Sequence, residues 1–153
     1  MRRGRLSRIV AAPLAALAIT ACSPMNQGET AQKPEEDAAN VVKVEGSDLK
    51  AITLTDHAAQ RLGIVTQPVR ELPAPEGSPP SRAVALAAVV YDAQGDAWVY
   101  AVTRPLTYIR QPLKVSRVQG DLAVFESGPA VGTPVVTVGV AELFGTEFGV
   151  GGG

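Results

Sequence analysis

The chain has 153 residues, 46% hydrophobic and 19% charged, with 14 basic and 15 acidic side chains, one histidine and one cysteine. No cluster of lysine and arginine with interleaved aromatics follows Arg8, so no nucleic-acid partner is expected. A lone cysteine excludes an internal disulfide, so the core alone must hold the fold.

The first element is a targeting segment. Arg2, Arg3, Arg5 and Arg8 precede an apolar run from Ile9 to Thr20, then Ala21, which is the layout of a secretory signal. That run is about a dozen residues against the roughly 20 a helix needs to cross a bilayer, and Pro13 interrupts it, so a permanent span is not expected. Ile19-Thr20-Ala21-Cys22 looks like a bacterial lipobox, in which the Cys22 thiol receives a diacylglycerol before cleavage. Residues 1–21 are therefore expected to be a lipoprotein signal peptide, with Cys22 as the lipid attachment site and the protein exported and lipid-anchored to the cell envelope. Each buried methylene contributes about 0.8 kcal/mol, so two or three acyl chains make a durable tether. Cleavage would remove four arginines and no acids, leaving 10 basic against 15 acidic side chains and a formal charge near −5. Contact with the membrane is expected through the lipid.

Residues 22–41 are polar, centred on Lys33-Pro34-Glu35-Glu36-Asp37, and bury too little apolar surface to offset their ordering entropy. A disordered tether is expected there. Ile52 and Leu54 then alternate with Thr53 and Thr55 as in a half-buried strand. Thr55 offers an N-cap oxygen to Asp56–Leu62, and Gly63 stands in the C′ position of that short helix. Ile64 to Gln67 has β-branched content and stops at Pro68. From 71 to 81, four prolines remove donors and fix φ, predicting a linker inside the folded region.

The second stretch predicts strands throughout. Val84 to Tyr91 reads as one, and Asp92-Ala93-Gln94-Gly95-Asp96 reverses it into Ala97 to Val102, where Trp98, Tyr100 and Val102 share a face. Arg104-Pro105 interrupts. Thr107 to Arg110 and Leu113 to Val118 follow, Gln119-Gly120 turns into Asp121 to Phe125, and Val135 to Val140 is the last long strand. Glu142 to Phe148 is ambiguous, and 148–153 is a glycine tail expected to fray. Short strands at roughly 8–12 residue spacing predict a mainly β fold, a small antiparallel barrel or roll with one short helix, spanning 42–147 as a single domain.

The stretch Ile52 to Val69 resembles the opening of periplasmic adaptor subunits, or membrane fusion proteins, of tripartite efflux pumps. Ala87 to Asp92 with Gly95, Trp98-Val99-Tyr100, Gly120-Asp121, Ser127-Gly128-Pro129 with Gly132, and Val135 to Gly139 with Ala141-Glu142-Leu143 look like the C-terminal, membrane-proximal domain of the same adaptors. The resemblance implies a small barrel or roll built from strands at both chain ends, packing on an inner-membrane transporter. Full adaptors place a helical hairpin, a lipoyl-like domain and a β-barrel domain between these stretches, where this chain has only 71–81. Without a hairpin it cannot build the conduit toward an outer-membrane channel.

Residues with catalytic or ligating chemistry are few. Ser127 lies in Glu126-Ser127-Gly128, without a nucleophile-elbow motif and far in sequence from His57, the lone histidine. Asp92 and Asp96 stand four apart with no ligand-spaced glutamate after them, which fits a solvated turn better than a calcium loop. His57 lacks ligating neighbours, because Met25 and Cys22 belong to the tether. Trp98, Tyr100 and Tyr108 are expected in the core and hairpin pairs. No catalytic, cofactor-binding or metal-binding residues are assigned, and no enzymatic activity is expected. The expected role is a non-enzymatic accessory or partner-binding lipoprotein of an envelope transport system; the alternative is a stand-alone surface lipoprotein binding a ligand or peptide.

Overall fold

The computed structural model describes residues 38–73, 76–77 and 80–149. The signal peptide and Cys22 lie outside the described residues, as does most of 22–41. In chain order the elements are β1 (Ala39–Lys43), β2 (Lys50–Leu54), α1 (Asp56–Leu62), β3 (Val65–Pro68), β4 (Arg70–Leu72), β5 (Ser81–Ala85), a 3-10 turn (Leu86–Ala88), β6 (Val90–Tyr91), β7 (Ala97–Arg104), β8 (Thr107–Pro112), β9 (Lys114–Gln119), β10 (Leu122–Ser127), β11 (Pro134–Val138) and α2 (Val140–Phe148). The fold is mainly β and antiparallel.

Seven strands form one sheet in the order β1-β2-β8-β7-β11-β3, with β6 paired to β7, and β4-β5-β10-β9 form a second. Strand β7 explains how they stack. Its residues alternate between two cores. Val99 and Ala101 pack with Val84, Ala123, Phe125 and Val135 between the sheets, whereas Tyr100 packs with Ile52, Tyr108 and Val136 against Ala58 of α1 and Val140 and Leu143 of α2. The same switch occurs at Val135 and Val136 of β11. The result is three layers: small sheet, large sheet, helices. Burial on both faces accounts for the apolar run Val135-Val136 and for the 0% exposure of Val99 and Tyr100.

The two stretches flanking the proline-rich segment share one sheet. Ile52 of β2 pairs with Tyr108 of β8, and Thr66 of β3 pairs with Val136 of β11. Helix α1 forms as its caps predict: the Thr55 hydroxyl accepts from the Ala58 amide at 3.2 Å, and Gly63 closes the helix at φ 62°.

Five sequence expectations are corrected. The sheets are open rather than closed into a barrel: β1 and β3 are opposite edges of the larger sheet, and no strand pairing joins the two sheets among the described residues. There are two α-helices rather than one, because Glu142 to Phe148 resolves as α2. The predicted strand Val84 to Tyr91 is broken by the turn at Leu86–Ala88, where the Leu86 amide donates to the Asp121 carbonyl and the Val89 amide to that of Leu86. The linker 71–81 is narrower than its composition implied. Glu71 pairs with Arg82 and Leu72 with Ser81, since these residues keep their amides. The β9–β10 turn is Gly120-Asp121, not Gln119-Gly120, because Gln119 pairs with Leu122; glycine comes first, at φ 61°, as a II′ turn requires.

Strand β1 begins at Ala39, inside the segment expected as tether, and α2 takes in Phe148 at the start of the expected tail. Gly139, at φ 91°, joins β11 directly to α2, and a side chain there would run into Ile64. No helix among the described residues is long and apolar enough to cross a membrane.

Candidate functional site

A buried polar network lies beneath α2. Tyr100 and Arg110 face each other across β7 and β8, on the side covered by the helices, and α2 lowers Glu147 between them. The Tyr100 hydroxyl donates to Glu147 Oε2 at 2.6 Å, and Arg110 Nε lies 3.3 Å from Oε1. Glu147 is 2% exposed and Arg110 8%. The arginine contact is ionic rather than an aligned hydrogen bond, since its Nε–H finds no acceptor in good geometry. Its guanidinium is instead held 4.1 Å from the Trp98 ring centroid and 5.2 Å from that of Phe148. Lys50 of β2 donates from Nζ to the Glu147 carbonyl at 2.6 Å, holding the end of α2. Burial first, then the hydrogen bond and charge of Glu147, push the Tyr100 hydroxyl far above its ordinary value, with Arg110 opposing. The phenol stays protonated and the carboxylate stays paired. Such a closed set fastens a helix.

The network extends through Trp98 to a turn. Trp98 Nε1 donates to Asp92 Oδ2 at 2.8 Å, and Oδ1 accepts from the amides of Gln94 at 3.0 Å and Asp96 at 2.9 Å. Asp92 and Asp96 are thus turn residues, as the spacing implied. Partial loss of hydration works to raise the Asp92 carboxyl, but the bonds from Trp98, Asp96 and Gln94 and the Arg110 charge hold it below its ordinary value. A depressed carboxyl contributes stability in full above its unfolded value and loses it as pH falls through the folded one. Asp92→Asn is therefore expected to flatten the acid limb of a stability profile between about pH 5 and pH 2. An unchanged limb in denaturant titrations would show that the turn is held by other contacts.

The other sequence candidates stay apart. His57 is exposed on α1, Ser127 is exposed at the end of β10, and Cys22 and Met25 lie outside the described residues. No group of three or more His, Cys, Asp or Glu with metal-holding geometry occurs among the described residues. Tyr100 and Tyr108 belong to the helix-side core. Sequence reading missed Arg110 and Glu147. Alternation along β8 was the available signal, because Arg110 must share the inward face of Tyr108.

A second feature is an open groove of about 460 Å³ between α1, the start of β3 and the β7–β8 turn. Tyr108 lines it and is 4% exposed. Asp56 and Gln60 rim it from α1. Leu106, in its wall, adopts φ 57°, a left-handed conformation that costs a non-glycine residue about 1 kcal/mol or more. The two-residue turn Pro105-Leu106 imposes it, since Arg104 pairs with Thr107. Compared with known proteins, the chain matches no protein-family model and no curated protein.

Proposed function

We propose that the chain is an exported lipoprotein, anchored through lipid on Cys22, whose β domain is a partner-binding module rather than an enzyme. Its particular role is that of an accessory component of an envelope transport system, related in design to the membrane-proximal domain of efflux adaptors. The observation that carries this reading is the interleaving of both matched stretches in one sheet, β2 beside β8 and β3 beside β11. In the adaptors that same domain is assembled from strands at both chain ends. The proline-rich connection, where adaptors carry their additional domains, joins adjacent antiparallel strands at Leu72 and Ser81, so strands β4 and β5 would accept a long excursion or a short one equally well.

The anchor is tested by Cys22→Ala. The native chain is expected in the membrane pellet and labelled by a fatty-acid probe, with the variant unlabelled and released, since each lost methylene removes about 0.8 kcal/mol of insertion energy. Equal partition of both chains would sink the anchor. The transport role is tested by crosslinking in native membranes followed by mass spectrometry: repeated recovery of a transporter supports it, and recovery of some unrelated partner alone overturns it. A stand-alone peptide-binding lipoprotein is the second reading, favoured by the groove beside α1.

A further inference from the structure

The groove between α1 and the β7–β8 turn has a definite chemistry. Its apolar wall is formed by Ile64, Val102 and Leu106, and its residues with polar groups are Asp56, Gln60, Thr66 and Tyr108. All four can accept a hydrogen bond, and among the described residues lining the groove the one formal charge is the Asp56 carboxylate, with no lysine or arginine beside it. Burial raises the Tyr108 hydroxyl above its ordinary value, so it remains a neutral phenol with its oxygen lone pairs available. An anion would meet Asp56 with nothing to offset the repulsion. A purely apolar segment would bury the Tyr108 hydroxyl unpaired.

We propose that this groove receives one lysine or arginine side chain presented by a partner polypeptide. The aliphatic stem lies along Ile64, Val102 and Leu106, and the cation reaches Asp56, with the Tyr108 oxygen and the Gln60 amide oxygen accepting its remaining N–H groups. A volume of about 460 Å³ holds one long side chain and the backbone that carries it, toward the lower end of the range for ligand sites. The Leu106 conformation places an apolar side chain in the wall where a glycine at the same turn position would leave none. The groove would receive the same side chain whether the partner is a transporter or some other envelope protein.

The test uses the full-length chain in detergent micelles, titrated with n-butylguanidinium and n-butylammonium, with neutral n-butylurea as the matched control, and read by amide NMR shifts. Saturable shifts confined to Gln60, Ile64, Leu106 and Tyr108, at least about threefold tighter for the cations than for the urea, are expected. Asp56→Asn should weaken the cations about two- to fivefold and leave the urea unchanged, and Tyr108→Phe should weaken the guanidinium with its apolar contacts intact. Equal binding of the urea, shifts centred on the loop between β1 and β2, no saturable shift, or indifference to Asp56→Asn would each overturn the proposal. Asp56 is exposed, and the variant's own amide spectrum shows whether it remains folded. Binding of these probes without any transporter in the crosslinked fraction would leave the groove assignment standing and remove the transport role.

Discussion

Glu147→Ala is expected to lower the unfolding free energy by about 3–5 kcal/mol, measured from urea midpoints at constant slope. The loss comes less from the missing attraction than from what is left behind. Arg110, 8% exposed, would keep a buried positive charge with the Trp98 and Phe148 rings beside it and only the Asp92 carboxylate beyond Trp98 to offset it, and the Tyr100 hydroxyl would lose its acceptor. The Lys50 bond survives because it is made to the Glu147 backbone carbonyl, so the substitution isolates the side chain. A paired replacement separates the two causes. Arg110→Met with Glu147→Leu removes both charges into similar volume and is expected to recover most of the loss, since apolar substitutes for a buried ion pair are often neutral or stabilising. A change within about 0.5 kcal/mol for the single variant would place Glu147 among ordinary surface positions and end the account of α2 as a fastened helix.

How much of this was legible in the sequence depends on the range of the interaction that decides each element. Thr55 and Gly63 bracket α1 by contacts within a few residues, so the caps were readable and formed as read. The Asp92 turn is likewise local. Strand type along β7 was visible because aromatic and β-branched residues dominate it, yet its burial on both faces depended on a second sheet that no periodicity announces. The break at Leu86 to Ala88 follows from a long-range amide contact with Asp121, whereas the local sequence favours continuing the strand. The sheet edges left open at β1 and β3 were equally invisible, because closure is a property of strand tilt and register rather than of composition. Glu147 was least legible of all. It follows Gly145 and Thr146 in a segment of mixed signal, and its partners stand 37 and 47 positions away.

Tyr100→Ala is expected to cost about 3–5 kcal/mol, and Tyr100→Phe about 1–3 kcal/mol. The first figure reflects a fully buried ring at the contact of β7 with α2. The second isolates the hydroxyl, whose loss leaves Glu147 Oε2 without its 2.6 Å donor. Alkaline pH gives an independent reading of the same bond. The folded phenol is held far above its ordinary value, by burial first and then by Glu147, while an unfolded tyrosine releases its proton near about pH 10. Below that pH both states are protonated and the contribution is constant. Above it the unfolded chain binds fewer protons than the folded one, so stability falls with rising pH, by about 1.4 kcal/mol per pH unit for this group. The advantage of the native chain over Tyr100→Phe should therefore be flat from about pH 6 to 9 and shrink above about pH 10. Tyr108→Phe serves as control, because burial raises that hydroxyl without help from a carboxylate. An advantage that persists unchanged to about pH 12 would mean that Tyr100 ionises in the folded protein as it does in the unfolded chain. The hydroxyl would then be open to water, and the bond to Glu147 could not be what holds α2 against the sheet.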